Sequence, residues 1–268
     1  MVKKLMKYEL TYYFRTLGLF LPVVFLGGIM TKISRFFSSS DEMSGFVSIS
    51  VKDAIGAMIE GVFLMLSIAL YVFSISLIII RFYKNMYSSE GYLTFTLPVS
   101  NRTHIFVKLF AAIIILLLSH LIVIASVFIA LWGLDLYYLL TEMAISLFAD
   151  GIGNAIALIA ELIVMVLSLD ISIVLFCYFC ITIGQTAKKN RILKAFGVFF
   201  ICFIIVQIAL STLYLTVFVT DEFKRWSIAH MLLFNHISVC SIIVINSIAS
   251  VIFWFVTQAI MTKKLNLE

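Results

Sequence analysis

Charged residues are scarce in this chain. They make up 12% of its 268 residues, while hydrophobic residues make up 63%, against about 25% and 45–50% in an ordinary soluble domain. No single water-soluble core accounts for that excess. A bilayer does, because each helix that crosses it needs about 20 largely apolar residues. The composition therefore argues against an ordinary soluble protein and predicts an integral membrane protein.

Proline and glycine are also few, with two and twelve copies respectively. These numbers exclude a flexible, linker-rich arrangement, and the sequence contains no low-complexity tract or evident internal repeat. The apolar runs are separated by short connections. We therefore predict one transmembrane domain over residues 1–268 and no soluble domain.

Motifs that carry catalysis are missing from the sequence. It has no G-x-x-x-x-G-K-[ST] phosphate loop, no H-E-x-x-H zinc motif and no G-x-S-x-G nucleophile motif. The four cysteines lie inside apolar runs, where packing is a simpler role than a disulfide, a metal site or redox chemistry. They are Cys177, Cys180, Cys202 and Cys240. We predict that this chain is not an enzyme and that it binds no metal and no cofactor itself.

Six apolar runs are long enough to cross a bilayer. The candidate spans are residues 17–33, 55–82, 104–133, 155–183, 195–220 and 237–261. Backbone polar groups cannot stay unpaired in lipid, and the runs show no period-2 alternation, which favours helices over a barrel. The predicted fold class is an all-α integral membrane protein with six transmembrane helices.

The distribution of Lys and Arg predicts the orientation. With the amino terminus in the cytoplasm, 14 of the 19 basic residues fall in cytoplasmic segments, as the positive-inside rule requires. The 134–154 segment has no Lys or Arg, which supports placing it outside. Both termini are then cytoplasmic. The net charge of +5 is a topology signal rather than a sign of nucleic-acid binding, because the basic residues cluster beside apolar runs.

The first 15 residues have the pattern of an amphipathic helix. Lys3, Lys7, Thr11 and Arg15 recur every four residues, and apolar residues occupy another side. One interpretation is a helix that lies in the inner membrane interface. The other is a basic retention signal ahead of the first span, with no further function.

The connection at 83–104 is more apolar than a solvated loop. Its apolar residues Tyr92, Leu93, Phe95 and Leu97 are crowded together. Pro98 ends any helix before Ser100 or Asn101 caps the next. Exposed apolar residues on a cytoplasmic connection indicate a docking surface, and the alternative is a loop folded back on the bundle. The 221–236 connection mixes aromatic and charged residues, which predicts an interfacial or partly re-entrant helix anchored by Trp226.

A few polar side chains fall within the spans, where they are costly and become candidates for function. They are His120, Glu161, Asp170 and Gln207. Glu161 and Asp170 are nine residues apart, so they point to opposite sides of one helix. For Asp170 with His120, a buried pair that fixes helix packing is weighed against a lining role in a polar substrate path. Glu9 either pairs with a basic group or stays solvated at headgroup level.

Four segments together resemble a known family. They are Lys7-Tyr8-Glu9-Leu10, the run Glu90-Gly91-Tyr92-Leu93-Thr94-Phe95-Thr96-Leu97-Pro98-Val99-Ser100, Ile183-Gly184-Gln185 with Lys188-Lys189-Asn190-Arg191, and Lys263-Lys264-Leu265-Asn266-Leu267-Glu268. In this order the chain resembles bacterial ABC transporter permeases of the type-2 exporter class. The 90–100 run carries the most specific likeness, and the spans carry none.

The resemblance implies a permease subunit of the bacterial cytoplasmic membrane with an amino-terminal elbow helix and six spans. It implies that Glu90, Gly91, Tyr92, Leu93, Thr94, Phe95, Thr96 and Leu97 form a coupling helix that contacts a separate ABC ATPase. ATP and Mg would bind in that ATPase, and a second, identical or paralogous permease would complete the unit. Residues 221–236 would form outer re-entrant helices.

The expected activity is export of an amphipathic or hydrophobic compound, such as a peptide, a lipid or a drug. The competing class is a stand-alone membrane protein, either a secondary transporter or an immunity-type protein that acts by binding. A secondary transporter should show broken spans or an inverted repeat, and the only proline inside a span is Pro22.

Overall fold

The computed structural model describes residues 2–38, 51–96, 99–213 and 220–263. Its helices are α1 (Val2–Leu17), α2 (Phe20–Ser38), α3 (Val51–Tyr87), α4 (Ser89–Thr96), α5 (Asn101–Ala130), α6 (Leu134–Phe148), α7 (Ile152–Gly184), α8 (Arg191–Leu213), α9 (Asp221–Ala229) and α10 (Met231–Lys263). The described residues contain no strand. The predicted all-α class is confirmed.

Six of the described helices, α2, α3, α5, α7, α8 and α10, are long and apolar enough to span a membrane. Each lies in the region of one predicted span, so the chain is a multi-pass membrane protein. The 33 residues of α7 and of α10 extend about 50 Å, against about 30 Å of hydrocarbon. Both helices are therefore longer than a crossing along the bilayer normal requires. Residues 214–219 of the predicted fifth span lie outside the described part of the chain.

The ends of the helices follow local signals in the sequence. Pro22 is the third residue of α2, where a missing backbone N–H costs no intrahelical bond. Ser100 caps α5, because its Oγ accepts a hydrogen bond from the Thr103 N–H at 3.4 Å, which confirms one of the two predicted caps. Gly133 and Gly151, which flank α6, have φ angles of 123° and 99°, a region that favours glycine.

The structure divides into two compact units. The prediction of a single transmembrane domain stays a prediction. Unit 1 contains residues 1–78 and 110–149, and unit 2 contains residues 79–109 and 150–268. The division cuts both α3 and α5. Unit 1 therefore holds α1, α2, α6 and the greater part of α3 and α5, while unit 2 holds α4 and α7 to α10.

Unit 1 is held together by close helix packing and a few polar contacts. The Ser74 and Ser119 hydroxyls, 3.1 Å apart, join α3 to α5 in a buried position, and the rings of Phe20 and Phe73 stack at 5.1 Å. A Cβ added to Gly28 would lie 2.5 Å from the Ser126 carbonyl oxygen. Only glycine allows α2 to approach the α5 backbone this closely, as small residues do at helix crossings in membranes.

We expect Gly28→Ala to destabilise the protein by roughly 2 kcal/mol, because its methyl group would push apart two packed backbones. Gly61→Ala in α3 is the matched control, since a Cβ there meets nothing within 4 Å. Thermal unfolding of both variants in detergent measures the difference. Equal midpoints for the two variants would contradict the close α2–α5 crossing.

The 134–154 segment, which the charge distribution predicts to lie outside, contains the 15-residue helix α6. Its start is fixed to the rest of unit 1 by charge. The Arg35 guanidinium lies 2.8 Å from Glu60 Oε1 and 3.3 Å from Asp135 Oδ2, and Lys32 Nζ donates to the Trp132 carbonyl. Two basic residues of α2 thus hold the turn that leads from α5 into α6.

Candidate functional site

The candidate site is the short helix α4, which lies between the second and third spanning helices and belongs to unit 2. Its eight residues follow a one-residue break after α3, where the Gly91 N–H bonds to the Ser88 carbonyl at 2.7 Å. The resemblance implies a coupling helix over Glu90–Leu97, and α4 covers Ser89–Thr96, while the role in coupling stays a prediction. Leu97 lies outside the described residues, as do the side-chain positions of Leu93 and Phe95.

One side of α4 is open to its surroundings. The Tyr92 side chain is 53% exposed, and Glu90 and Thr96 are also exposed, while Gly91 is buried. Glu90 Oε2 lies 4.0 Å from Arg81 Nη1, which is an ion-pair distance but too long for a hydrogen bond. The open side therefore holds Tyr92 and Thr96, four residues apart, whereas Glu90 lies about 200° around the helix from Tyr92. An exposed aromatic ring is a feature that a protein partner can bind.

The last turns of α3, which carry α4, are anchored to α7. The buried rings of Phe82 and Tyr178 stack with centroids 3.7 Å apart and planes 11° apart. Tyr87 Oη lies 2.7 Å from Thr182 Oγ1. Because the Thr182 hydroxyl donates its one proton to the Tyr178 carbonyl, the Tyr87 hydroxyl must be the donor to Thr182. A ring stack and a hydrogen bond, both buried, therefore fix the base of α4 to α7.

The start of α5, on the other side of α4, is fixed to α10. With the Gln258 amide oriented so that its oxygen faces Arg102, it accepts from Nε at 2.6 Å and from Nη2 at 3.1 Å. His104 and Lys108, in the first two turns of α5, are buried. The end of α3, which leads into α4, and the start of α5, which follows it, are thus both attached to other helices of unit 2.

The turn from α7 into α8 carries the third segment of the family resemblance, Ile183-Gly184-Gln185 with Lys188-Lys189-Asn190-Arg191. Gly184 ends α7, and the Gln185 N–H bonds to the Ile181 carbonyl at 3.1 Å. A Cβ at Gly184 would lie 2.6 Å from Ala195 Cβ and 2.8 Å from the Arg191 carbonyl oxygen. Glycine at this position lets the first turn of α8 pack directly against the end of α7.

The polar groups predicted inside the spans have different surroundings. His120 Nδ1 donates to the Leu116 carbonyl at 2.6 Å, and its ring packs edge-on against Tyr71 at 5.0 Å. Asp170 is buried in α7, and its pairing with His120 stays a prediction. Gln207 is exposed on α8, about 24 Å along the helix from Arg191.

Glu161 has a partner that the sequence analysis missed. His236 Nδ1 lies 2.9 Å from both carboxylate oxygens of Glu161, which joins α7 to α10. The two residues are 75 positions apart, and His236 falls in the predicted 221–236 connection, just before the predicted sixth span. No short-range signal points to such a pair.

Glu9 is buried in α1, with 2% of its surface exposed. This burial excludes the solvated, headgroup-level carboxylate and leaves the predicted pairing with a basic group. The described residues hold no group of three or more His, Cys, Asp or Glu side chains that could bind a metal ion.

An apolar cavity of about 660 Å³ opens between α2 and α3, with Val23, Met30, Met58 and Phe63 in its wall. The cavity is large enough for a drug-sized ligand.

No family model, no curated protein and no solved structure matches the chain.

Proposed function

We propose that this chain is the transmembrane permease subunit of an ABC exporter in a bacterial cytoplasmic membrane. The observation that carries the proposal is α4, a short helix between the second and third spans that exposes Tyr92 and Glu90 and is attached at both ends to longer helices. A short helix attached in this way can transmit movement of a partner subunit to the spanning helices.

The contacts around α4 support a rigid element that transmits movement, rather than a loose loop. The Phe82–Tyr178 stack and the Tyr87–Thr182 hydrogen bond tie the end of α3, which leads into α4, to α7, and α7 in turn packs against α8 and α10. When ATP draws two ATPases together, movement of α4 would be transmitted to these three helices. This is a two-state element biased by a ligand that binds in another subunit.

The orientation that the proposal needs agrees with the charge distribution. Lys84 and Arg102 flank α4, and Lys188 and Lys189 lie between α7 and α8. These residues belong to segments that the positive-inside rule assigns to the cytoplasm, where ATP is available. Both termini are cytoplasmic in this arrangement.

The partners follow from what the chain lacks and from what it exposes. Its sequence has no phosphate loop, so ATP and Mg would bind in a separate ABC ATPase. Gln207 exposes an amide within the apolar length of α8, and hydrocarbon cannot satisfy that amide. A second permease copy or a paralogous permease would supply a hydrogen-bond partner for this amide.

The transported compound is proposed to be amphipathic or hydrophobic. The apolar wall of the α2–α3 cavity offers no group that would hold a sugar or an ion, whereas it suits an acyl chain or an apolar side chain. The proposed substrate classes are therefore peptides, lipids and drugs.

Copurification tests the proposal. The tagged chain is purified in mild detergent from its native cells, and the accompanying proteins are identified for the wild type, Tyr92→Asp and Tyr138→Asp. Tyr138 is the control because it is a similarly exposed tyrosine, 60% against 53% for Tyr92, on a segment assigned to the outside. We expect an ABC ATPase with the wild type and Tyr138→Asp, and at least a tenfold loss with Tyr92→Asp.

Two results would contradict the proposal. The first is the absence of any ATPase from the wild-type preparation, which would favour a stand-alone secondary transporter or an immunity-type binding protein. The second is an equal loss of ATPase in the two tyrosine variants, since this would show that the contact does not involve α4.

A further inference from the structure

The helix α1 has two opposite faces in the structure. Glu9, Tyr13 and Leu17 are buried, at 2%, 1% and 1% exposure. With 100° between residues, they occupy an arc of about 80°. All four basic residues of the helix are exposed, namely Lys3, Lys4, Lys7 and Arg15, and they occupy an arc of about 120° on the other side.

The charge on the exposed face is not compensated within the helix. Glu9 is the only acidic residue of α1, and it lies on the buried face. The exposed face therefore presents four positive charges and no negative charge of its own, over a helix about 24 Å long. A surface of this kind is complementary to a partner of high negative charge.

Exposed aromatic residues lie on the same face. Tyr8 is 68% exposed and Phe14 is 46% exposed, and both fall within or beside the arc of the basic residues. Aromatic side chains interleaved with cations suit the headgroup level of a membrane, where the ring meets apolar chains and the cation meets phosphate.

The short connection between α1 and α2 keeps this face at the membrane. Only Gly18 and Leu19 separate α1 from the spanning helix α2, so the end of α1 lies within about 11 Å of the start of the span. Leu19 is 83% exposed, as expected of a side chain in contact with lipid. The basic face therefore starts at the membrane surface.

We propose that the exposed face of α1 binds anionic phospholipid headgroups of the membrane leaflet in which it lies. This goes beyond the interfacial location predicted from sequence, because it states a preference for one headgroup chemistry. The buried face attaches α1 to the protein, and the basic face selects the lipid. The proposal does not depend on the export function.

The test compares lipid binding by the full-length chain and two double variants. The protein in detergent is titrated with phosphatidylglycerol or with phosphatidylcholine of the same acyl chains, and bound lipid is counted by native mass spectrometry. The variants are Lys3→Gln with Lys7→Gln, and Lys188→Gln with Lys189→Gln. The second is the control, because its two lysines are also exposed and neighbouring and the change in net charge is the same.

We expect the wild type to prefer phosphatidylglycerol, and the Lys3/Lys7 variant to lose at least tenfold of that preference. Each cation near an anionic lipid surface contributes about fivefold, which corresponds to about 1 kcal/mol. The control variant should retain most of the preference. Phosphatidylcholine binding should be the same in all three proteins.

Three results would overturn the proposal. The wild type could bind both lipids equally, which would leave the basic face to a protein partner. The two double variants could lose the same fraction of the preference, so that only total charge matters. Finally, glycerol phosphate could displace the lipid at equal concentration, which would make the face a site for a soluble anion.

Discussion

Gly184→Val is expected to lower the free energy of unfolding by about 3 kcal/mol or more. A Cβ at this position already lies 2.6 Å from Ala195 Cβ, 2.8 Å from the Arg191 carbonyl oxygen and 3.0 Å from the Ala195 nitrogen, and valine adds two further methyl groups. Two of these three neighbours are backbone atoms, so the start of α8 must move away from α7. Overpacking against backbone costs at least as much as overpacking between side chains.

Two cysteines of the chain report this loss of stability. Cys177 and Cys180 are buried in α7, one to two turns before Gly184, and they become reactive when α7 loses its packing. In a Cys202→Ser, Cys240→Ser background, the temperature at which a thiol dye labels them measures stability. Gly197→Val is the control, because a Cβ at Gly197 meets nothing within 4 Å. Identical labelling curves for the two valine variants would exclude the tight turn between α7 and α8.

Phe82→Ala should have an effect of comparable size and should also disturb the proposed ATPase contact. The Phe82 side chain is 1% exposed and stacks on Tyr178, so its removal opens a cavity between α3 and α7. Phenylalanine-to-alanine changes in packed cores cost about 3–5 kcal/mol. Because the last turn of α3 carries α4, we also expect weaker copurification of the ATPase at temperatures where the protein is still folded.

Phe255→Ala is the matched control for this change. Phe255 lies on α10 with 62% of its surface exposed, so its truncation should leave both the labelling temperature and the copurification nearly unchanged. Phe82→Ala could destabilise the protein and leave the ATPase yield intact. In that case α4 would bind the ATPase without the attachment to α7, and movement of α4 would have to reach the spans through other contacts.

The helical architecture could be predicted because its causes are local. An apolar run of about 20 residues must form a helix in lipid, whatever packs against it, and all six long helices lie where such runs occur. The cap at Ser100 follows from the Pro98-Val99-Ser100 order, and the helix α1 follows from the four-residue recurrence of its basic residues.

What the sequence did not predict depends on contacts between distant residues. The Glu161–His236 pair joins positions 75 residues apart, and the burial of Glu9 depends on what covers one face of α1. The Phe82–Tyr178 stack is another such contact. Apolar patterning shows that each ring lies in a span, but it does not show which ring it contacts. Such contacts are set by tertiary packing rather than by periodicity.

Helix α6 was missed for a different reason. Its Asp135 and Glu142, seven residues apart, lie on one face of the helix, but this spacing alone does not distinguish a helix from a connection. Its 15 residues are too few to cross a bilayer, so the segment was assigned to a connection.

Site-specific photocrosslinking in living native cells tests the proposed contact between α4 and an ABC ATPase. A photoreactive side chain replaces Tyr92 in one protein and Tyr138 in another, and the captured proteins are identified by mass spectrometry. We predict that position 92 captures a protein that contains the phosphate loop this chain lacks, and that position 138 does not. Capture of such a protein from neither position, or from both alike, would contradict the assignment of α4 as the ATPase-coupling helix.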